Sequence, residues 1–290
     1  MTILDAIILG LVEGITEYLP VSSTGHLIIA AWLLGLGRTP EDKAAIDAFN
    51  VIIQGGAILA VLGLYRARVA MMVRGLLGRD PKGLRLFLLL LVAFLPAAIL
   101  GVLLDDLIEA VLFHPIPVLT ALFVGGVLLI AIKPWQQRLR DRQAAGDTTA
   151  FRSMDDLRFG HALLIGLMQC VAMIPGTSRS MMTILGGLVV RLSPKDAAEF
   201  SFLLGLPTLG GACVLKLSKQ LRDNGLDFVD PLGGWLPVGV GIVTAMLSAA
   251  VAITWLVRYL ERHSFVLFGV WRIALALVLG GAILSGAMSL

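Results

Sequence analysis

Long apolar runs alternate along the chain with short polar breaks, and the runs sort by length into two kinds. Those at 44–65, 86–104, 116–132, 197–217, 235–257 and 265–288 match the roughly 20 apolar residues that a helix needs to cross a bilayer. Those at 3–18, 23–36, 159–174 and 181–192 are shorter and come as two pairs, each pair split by a break rich in Pro, Ser and Gly. Two short apolar helices about such a break predict a re-entrant hairpin, because irregular backbone survives at membrane depth only where it lines a cavity or is covered by protein.

Each half of the chain therefore reads as one re-entrant pair followed by three spans, with 1–132 and 159–290 as the halves and a basic stretch, 133–158, between them. The halves echo each other in letters: Gly10-Leu11-Val12-Glu13 resembles Gly166-Leu167-Met168-Gln169, and Pro20 with Ser23 parallels Pro175 with Ser178. An odd number of spans per half inverts the second half relative to the first. The expected fold is an all-α polytopic membrane protein with six spans, an inverted-topology repeat within a single membrane domain, 1–290.

Composition agrees. Of the 290 residues 58% are hydrophobic and 15% charged, against about 25% charged in a soluble domain, and the mean hydropathy is +0.91. The formal charge of +3 carries no expectation of a nucleic-acid partner, because what matters is where the bases sit. Most of the 23 Lys and Arg fall in 66–85, 133–158, 191–195 and 258–272, and the positive-inside rule assigns those regions to the cytoplasm. Both termini and the mouth of the first hairpin are then expected to face the outer side. Trp32, Trp135, Trp235 and Trp255 fall near segment ends, as interface anchors do. Cys170 and Cys213 lie in apolar segments and form neither a disulfide framework nor a metal motif. Paired glycines such as Gly125-Gly126 and Gly210-Gly211 allow close helix packing within one chain or in a homodimer.

The candidate chemistry sits in the two breaks. In the first, Glu13 and Glu17 share a helix face, Pro20 ends the helix, and Ser22 and Ser23 suit the N-cap of the next. Thr24 and His26 follow. Charges within an apolar segment cost roughly 2.5–3.5 kcal/mol each on insertion scales and are functional by default. In the second break, Ser178, Arg179, Ser180 and Thr183 follow Pro175-Gly176. A guanidinium binds phosphate in two-point fashion, and helix N-termini carrying Ser, Thr and Gly add backbone and hydroxyl donors. If the breaks face each other, they form a phosphate site inside a membrane. Two carboxylates and one guanidinium would still repel a pyrophosphate. A divalent cation, Mg²⁺ or Ca²⁺, held by Glu13 and Glu17 resolves that repulsion, as does protonation of one carboxylate.

These letters resemble the bacterial undecaprenyl-pyrophosphate phosphatase family, also called bacitracin-resistance proteins. Glu13 and Glu17 match its Glu/Gln-x-x-x-Glu, Leu19 to His26 match Leu-Pro-Val-Ser-Ser-Thr-Gly-His, and Pro175 to Thr183 match Pro-Gly-x-Ser-Arg-Ser-x-x-Thr. Met181-Met182 departs from the smaller residues usual there, and the added bulk is expected to narrow the site. The resemblance implies hydrolysis of undecaprenyl pyrophosphate to undecaprenyl phosphate and inorganic phosphate, recycling of the lipid carrier for cell-wall synthesis, bacitracin resistance and a divalent-cation requirement. A second class of lipid-pyrophosphate phosphatases requires an Arg-Pro pair and a histidine at position 185. The chain has no Arg-Pro, and that position is Leu185.

Chemistry orders the roles. The leaving lipid monophosphate has a second pKa near 6, so charge neutralisation and placement of the nucleophile matter more than a general acid. Glu17, Ser23, His26 and Arg179 are the catalytic candidates. Ser23 is the expected nucleophile, with Glu17 or His26 taking its proton, and the competing scheme has His26 or a water held by Glu17 attack directly. Ser22, Thr24, Ser178, Ser180 and Thr183 are the expected phosphate binders. The reading from another class is a polyprenyl-phosphate transporter using the same pocket, which would release no phosphate.

Overall fold

The computed structural model describes residues 1–112, 114–225 and 227–286. Among them all regular structure is helical, apart from one isolated β-bridge between Arg152 and Leu192. The first half comprises α1 (Ile3–Thr16), α2 (Ser23–Leu33), α3 (Pro40–Leu64), α4 (Arg66–Leu76), α5 (Pro81–Leu112), α6 (Pro115–Ala131) and α7 (Lys133–Ala144). The second comprises α8 (Phe159–Val171), α9 (Arg179–Val189), α10 (Pro194–Asn224), α11 (Trp235–Arg262) and α12 (Val266–Leu284). Six helices are long and apolar enough to cross a membrane: α3, α5, α6 continued by α7, α10, α11 and α12. The six expected spans are those six, most of them longer than the apolar run alone implied. The end of the expected last span, 287–288, lies outside the described residues, as do the side chains of the acidic Asp105, Asp106 and Glu109, whose backbone continues α5.

Two of the basic stretches between the apolar runs are helical. Arg66–Leu76 and Lys133–Ala144 carry too many charges to register as apolar, yet both bury a narrow stripe: Met72 and Gly75 in α4, Gln136 and Leu139 in α7. The 133–158 stretch is thus a helix and then a loop. Trp255 sits inside α11, stacked on Tyr259 with ring centroids 5.0 Å apart. The two cysteines are free.

The two hairpins match each other in register, more cleanly than the letters implied. One interval separates Ile3 from Phe159, Ser22 from Ser178 and Ser23–Leu33 from Arg179–Val189. That interval pairs Ser22, not Ser23, with Ser178, which shifts the expected Pro20/Pro175 alignment by one residue. The next helices also start alike. Thr39 caps α3 by accepting the Asp42 N–H and Ser193 caps α10 by accepting that of Asp196, each with Pro at the first helical position, where its missing N–H costs nothing.

Each half lends its first helix to the other. α1 lies along α11 and α8 along α5, while α6 and α12 pair. Small residues permit this, since without water between helices association relies on close approach. A Cβ on Gly10 would stand 2.7 Å from the Gly241 carbonyl oxygen, and one on Gly166 would stand 2.3 Å from that of Ala93.

The basic regions collect on one face. Arg68 pairs with Glu199 at 2.9 Å, Lys195 with Glu261 at 2.7 Å, and Arg140 donates to the Leu260 and His263 carbonyls. Arg85 donates to the carbonyls of Asp155 and Leu157. Arg272, read as part of this basic face, does not belong to it. It lies within α12, fully buried, donating to the carbonyls of Ala121, Leu122 and Gly176.

Candidate active site

Two helix breaks meet at the centre of the molecule, and matching strained residues open the second helix of each hairpin. Ser22 has φ 73° and Ser178 φ 76°, a left-handed conformation costing a non-glycine residue roughly 1–3 kcal/mol and kept where surroundings enforce it. The turn sets the first residue of the following helix against Glu17, which belongs to Ser23's own hairpin and to the hairpin opposite Arg179. The Ser180 hydroxyl ties the breaks together, donating to the Leu19 carbonyl at 2.9 Å.

Glu17 ends α1 and stands at the junction. Its Oε2 accepts the Ser23 hydroxyl at 2.7 Å and Gln54 Nε2 of α3 at 3.5 Å, and its Oε1 accepts Arg179 Nη2 at 3.5 Å. Arg179 also donates through Nη1 to the Ser201 carbonyl at 3.0 Å and lies over the Tyr18 ring, 5.5 Å from its centroid. Its Nε has no protein partner. Room for the guanidinium comes from Gly205, where a Cβ would stand 3.2 Å from Nη2. Both members of the ion pair are nearly buried, with side-chain exposures of 11% and 6%. A cavity of about 140 Å³ opens beside them, lined by Glu17, Ser22, Ser23, Thr24, Gln54, Ser178 and Arg179, with Ala172, Pro175, Gly176 and Leu209 completing the wall. Carboxylate, hydroxyl and guanidinium converge on this space, together with the N-terminal N–H groups of α2, which have no partner inside their own helix.

The structure divides the residues singled out by sequence. Glu17, Ser22, Ser23, Thr24, Ser178 and Arg179 line the cavity. Ser180 and Thr183 are fully buried behind it. Ser180 holds the two breaks together, while Thr183 bonds the Arg179 and Ser180 carbonyls and the Ser201 hydroxyl at 2.6 Å. They build the frame of the site. Met181 and Met182 also turn into the core, at 1% and 7% exposure, so their bulk does not narrow the cavity. His26 is off the cavity wall and binds the Ser22 carbonyl and the Trp271 indole.

Glu13 lies one turn before Glu17, 1% exposed, and neither of its carboxylate oxygens has a protein partner. Among the described residues no group of three or more His, Cys, Asp or Glu gathers as a cation site. The protein donor set is the two carboxylates. A partnerless carboxylate shut from water needs a cation or a proton beside it, and the oxygen donors of Glu13 and Glu17 are of the kind a hard divalent ion prefers, with Glu17 on the cavity wall and Glu13 behind it.

Sequence reasoning missed Gln54, Tyr18, Ser201 and Arg272. Gln54 lies within the span of α3. Its amide is oriented by the Cys213 thiol, 3.6 Å from Oε1, which leaves Nε2 for Glu17. The one available signal was a polar residue within a span. Arg272 offered the same signal, hidden by its nearness to a basic loop.

Residues 6–278 match the family described as bacitracin resistance protein BacA. The chain is 46% identical over 277 residues to an undecaprenyl-diphosphatase of Sorangium cellulosum, covering 95% of this chain and 85% of that one. It is 45% identical over 289 residues to undecaprenyl-diphosphatase 2 of Rhodospirillum rubrum, covering 99% and 97%. It is 46% identical over 279 residues to an undecaprenyl-diphosphatase of Pseudomonas putida, covering 96% and 93%.

Proposed function

This chain belongs to the bacitracin resistance protein BacA family, and we infer from that membership and from the facing breaks how its residues divide the work. It is an undecaprenyl-diphosphatase, a multi-pass membrane hydrolase acting on undecaprenyl pyrophosphate. The products are undecaprenyl phosphate and inorganic phosphate.

In the proposed mechanism the terminal phosphate enters the cavity between α2 and α9. Arg179 binds its non-bridging oxygens, helped by Ser178, Thr24 and the α2 N–H groups. The Ser23 oxygen attacks phosphorus as Glu17 takes its proton, and the bond to the bridging oxygen breaks toward the lipid phosphate. Glu17 gives that proton up as the lipid phosphate departs. Water then attacks the phosphoserine as Glu17 takes the water proton and passes it to the Ser23 oxygen while the phosphorus–serine bond breaks, and phosphate leaves. The carrying observation is the 2.7 Å bond from Ser23 to Glu17, with Arg179 on the other carboxylate oxygen. A departing lipid phosphate, second pKa near 6, needs no dedicated acid.

Glu13 and Glu17 would hold a divalent cation, Mg²⁺ or Ca²⁺, which when bound neutralises charge on the phosphates. Chelation that leaves the purified enzyme fully active would remove the cation from this proposal.

The proposed setting is the bacterial inner membrane, with the basic face inside and the first hairpin's mouth open to the outer side, so that the head group enters laterally while its chain stays in the bilayer. The two halves form the proposed inverted repeat, supported by the paired hairpins and the exchange of α1 and α8. In a proposed homodimer, close helix approach would come at Gly210, Gly211 and Gly281, where a Cβ would meet nothing within 4 Å.

The test is phosphate release from undecaprenyl pyrophosphate by detergent-purified protein, with a quench to trap labelled enzyme. Label on Ser23, absent in Ser23→Ala, is the expected result. Label on His26, or full activity in Ser23→Ala, defeats the assignment. A carrier would release no phosphate.

A further inference from the structure

His26 is the residue whose expected roles its surroundings oppose. Its Nδ1 lies 2.7 Å from the Ser22 carbonyl oxygen. A carbonyl only accepts, so Nδ1 carries the proton. Its Nε2 lies 2.7 Å from Trp271 Nε1. An indole N–H only donates, so Nε2 presents its lone pair. Both ring nitrogens are thereby committed, and the ring is neutral, because an Nε2–H would point at another N–H. The two rings are parallel, 5° apart in plane with centroids 6.0 Å apart. Trp271 is 53% exposed on the outer surface of α12.

The other hairpin indicates what this arrangement replaces. There the Ser178 hydroxyl accepts the Met181 N–H and the Ser178 carbonyl accepts the Met182 N–H at 3.2 Å, so the strained cap is held locally. The Ser22 side chain makes no capping bond. Its carbonyl is gripped by the imidazole of His26, the counterpart of Met182. Ser22 immediately precedes Ser23, so whatever orients the Ser22 carbonyl orients the Ser23 hydroxyl against Glu17.

We propose that His26 is a positioning residue, locked as its Nδ1–H tautomer between the Ser22 carbonyl and the Trp271 indole, and that Trp271 sets the lock. His26 holds the turn that aims Ser23, and it neither receives the Ser23 proton nor attacks phosphorus. This rests on the assignment of Ser23 and Glu17 above.

The experiment combines histidine ¹⁵N NMR on the full chain in nanodiscs with kinetics of three variants. A bare and a protonated ring nitrogen resonate far apart, and His26 is assigned by the signal lost in His26→Asn. The lock gives a bare Nε2 and a protonated Nδ1, and Trp271→Phe, which keeps a ring but removes the donor, keeps Nδ1 protonated on the Ser22 carbonyl and lets Nε2 gain a proton as pH falls. An Asn amide nitrogen occupies the place of His Nδ1 and donates as it does. His26→Asn is therefore expected within about 10-fold of the parent kcat, and Trp271→Phe lower by about 3–10-fold with KM little changed. His26→Ala is expected to fall by the ~10²-fold that misplacing a reacting group by about 1 Å can cost. His26→Asn as inactive as His26→Ala, in folded protein, overturns the proposal, as does a parent ring protonated at Nε2. Since the tautomer is read without turnover, an active Ser23→Ala would defeat the nucleophile assignment and leave the lock standing.

Discussion

The two hairpins share a backbone and divide the chemistry. Both pair a short helix with another of eleven residues, and both open the second at a serine with positive φ. At matched positions the first carries Glu13, Glu17, Ser23 and His26, and the second carries Gln169, Met173, Arg179 and Met182. In the proposed mechanism one supplies acids and a nucleophile, and the other supplies the guanidinium. Their settings differ too. α9 is buried without a gap from Ser180 to Leu188, whereas α2 buries only Gly25, Leu27 and Ala30. The charge that must not move sits on the deeply packed helix, and the group that must change bonding partner sits on the loosely packed one. A repeated fold can thus yield an asymmetric site from a handful of substitutions at equivalent positions.

Removing the second hairpin's guanidinium should cost most. Arg179→Ala is expected to lower kcat for phosphate release by about 10³-fold or more, as for a guanidinium that stabilises a transferring phosphoryl group. Arg179→Lys should recover little, because an ammonium cannot bind two oxygens in a plane. Near-parent activity in Arg179→Ala would place the phosphate elsewhere. On the first hairpin, Glu17→Gln should cost about 10²–10⁴-fold, since it removes the acceptor for the Ser23 proton and the partner of Arg179 together. Its failure to do so would turn the comparison around and make the carboxylate structural.

Glu13→Gln makes the first hairpin resemble the second at one position, because Gln169 is already there. With one charge fewer to hold a cation, the Mg²⁺ or Ca²⁺ concentration for half-maximal activity should rise about tenfold, with smaller loss at saturation. An unmoved activation curve would show that Glu13 holds no cation.

The division of labour was legible because it is written in residue types that membranes exclude. Glu17 and Arg179 stand out in apolar surroundings, and run lengths alone separated spans from hairpins. The frame around them was not legible. Ser180 and Thr183 carry the same hydroxyls as Ser23 and Thr24, and which of these reaches the cavity depends on how α9 is rotated, which only its packing against α10 decides. Gln54 and Trp271 come from other helices, and nothing local to them marks the contact. Helix α7 escaped because charge density hides an amphipathic stripe from a reading based on apolar runs. The repeat register slipped by one because prolines are conspicuous letters, whereas the positive φ that aligns Ser22 with Ser178 leaves none.

The packing twins give a smaller effect. Gly10 and Gly166 each let a hairpin helix approach the other half, but a Cβ on Gly166 would stand nearer the facing carbonyl, 2.3 Å against 2.7 Å. Both alanine variants should destabilise by the roughly 1–3 kcal/mol of an overpacked core, Gly166→Ala more than Gly10→Ala, read as the midpoint of thermal unfolding in detergent. The opposite order would mean that α1 yields less than α8.

The smallest effect separates the two strained caps. Glycine adopts a positive φ without steric cost, so replacing either serine relieves strain of roughly 1–3 kcal/mol, less the roughly 0.4–1 kcal/mol by which glycine frees the unfolded chain. What differs is what each hydroxyl does. The Ser178 hydroxyl accepts the Met181 N–H and shares a 3.0 Å hydrogen bond with Ser180, each worth about 1 kcal/mol. The Ser22 hydroxyl makes no capping bond, and its carbonyl, which His26 holds, survives the substitution. Ser22→Gly should therefore raise the unfolding midpoint and Ser178→Gly should leave it unchanged or lower it. The two lost hydrogen bonds make the gap about 2 kcal/mol, which corresponds to about 4–8 °C for a chain near this size. Equal midpoints would mean that the first cap is held by its hydroxyl after all, and the imidazole would lose the role that distinguishes the two hairpins.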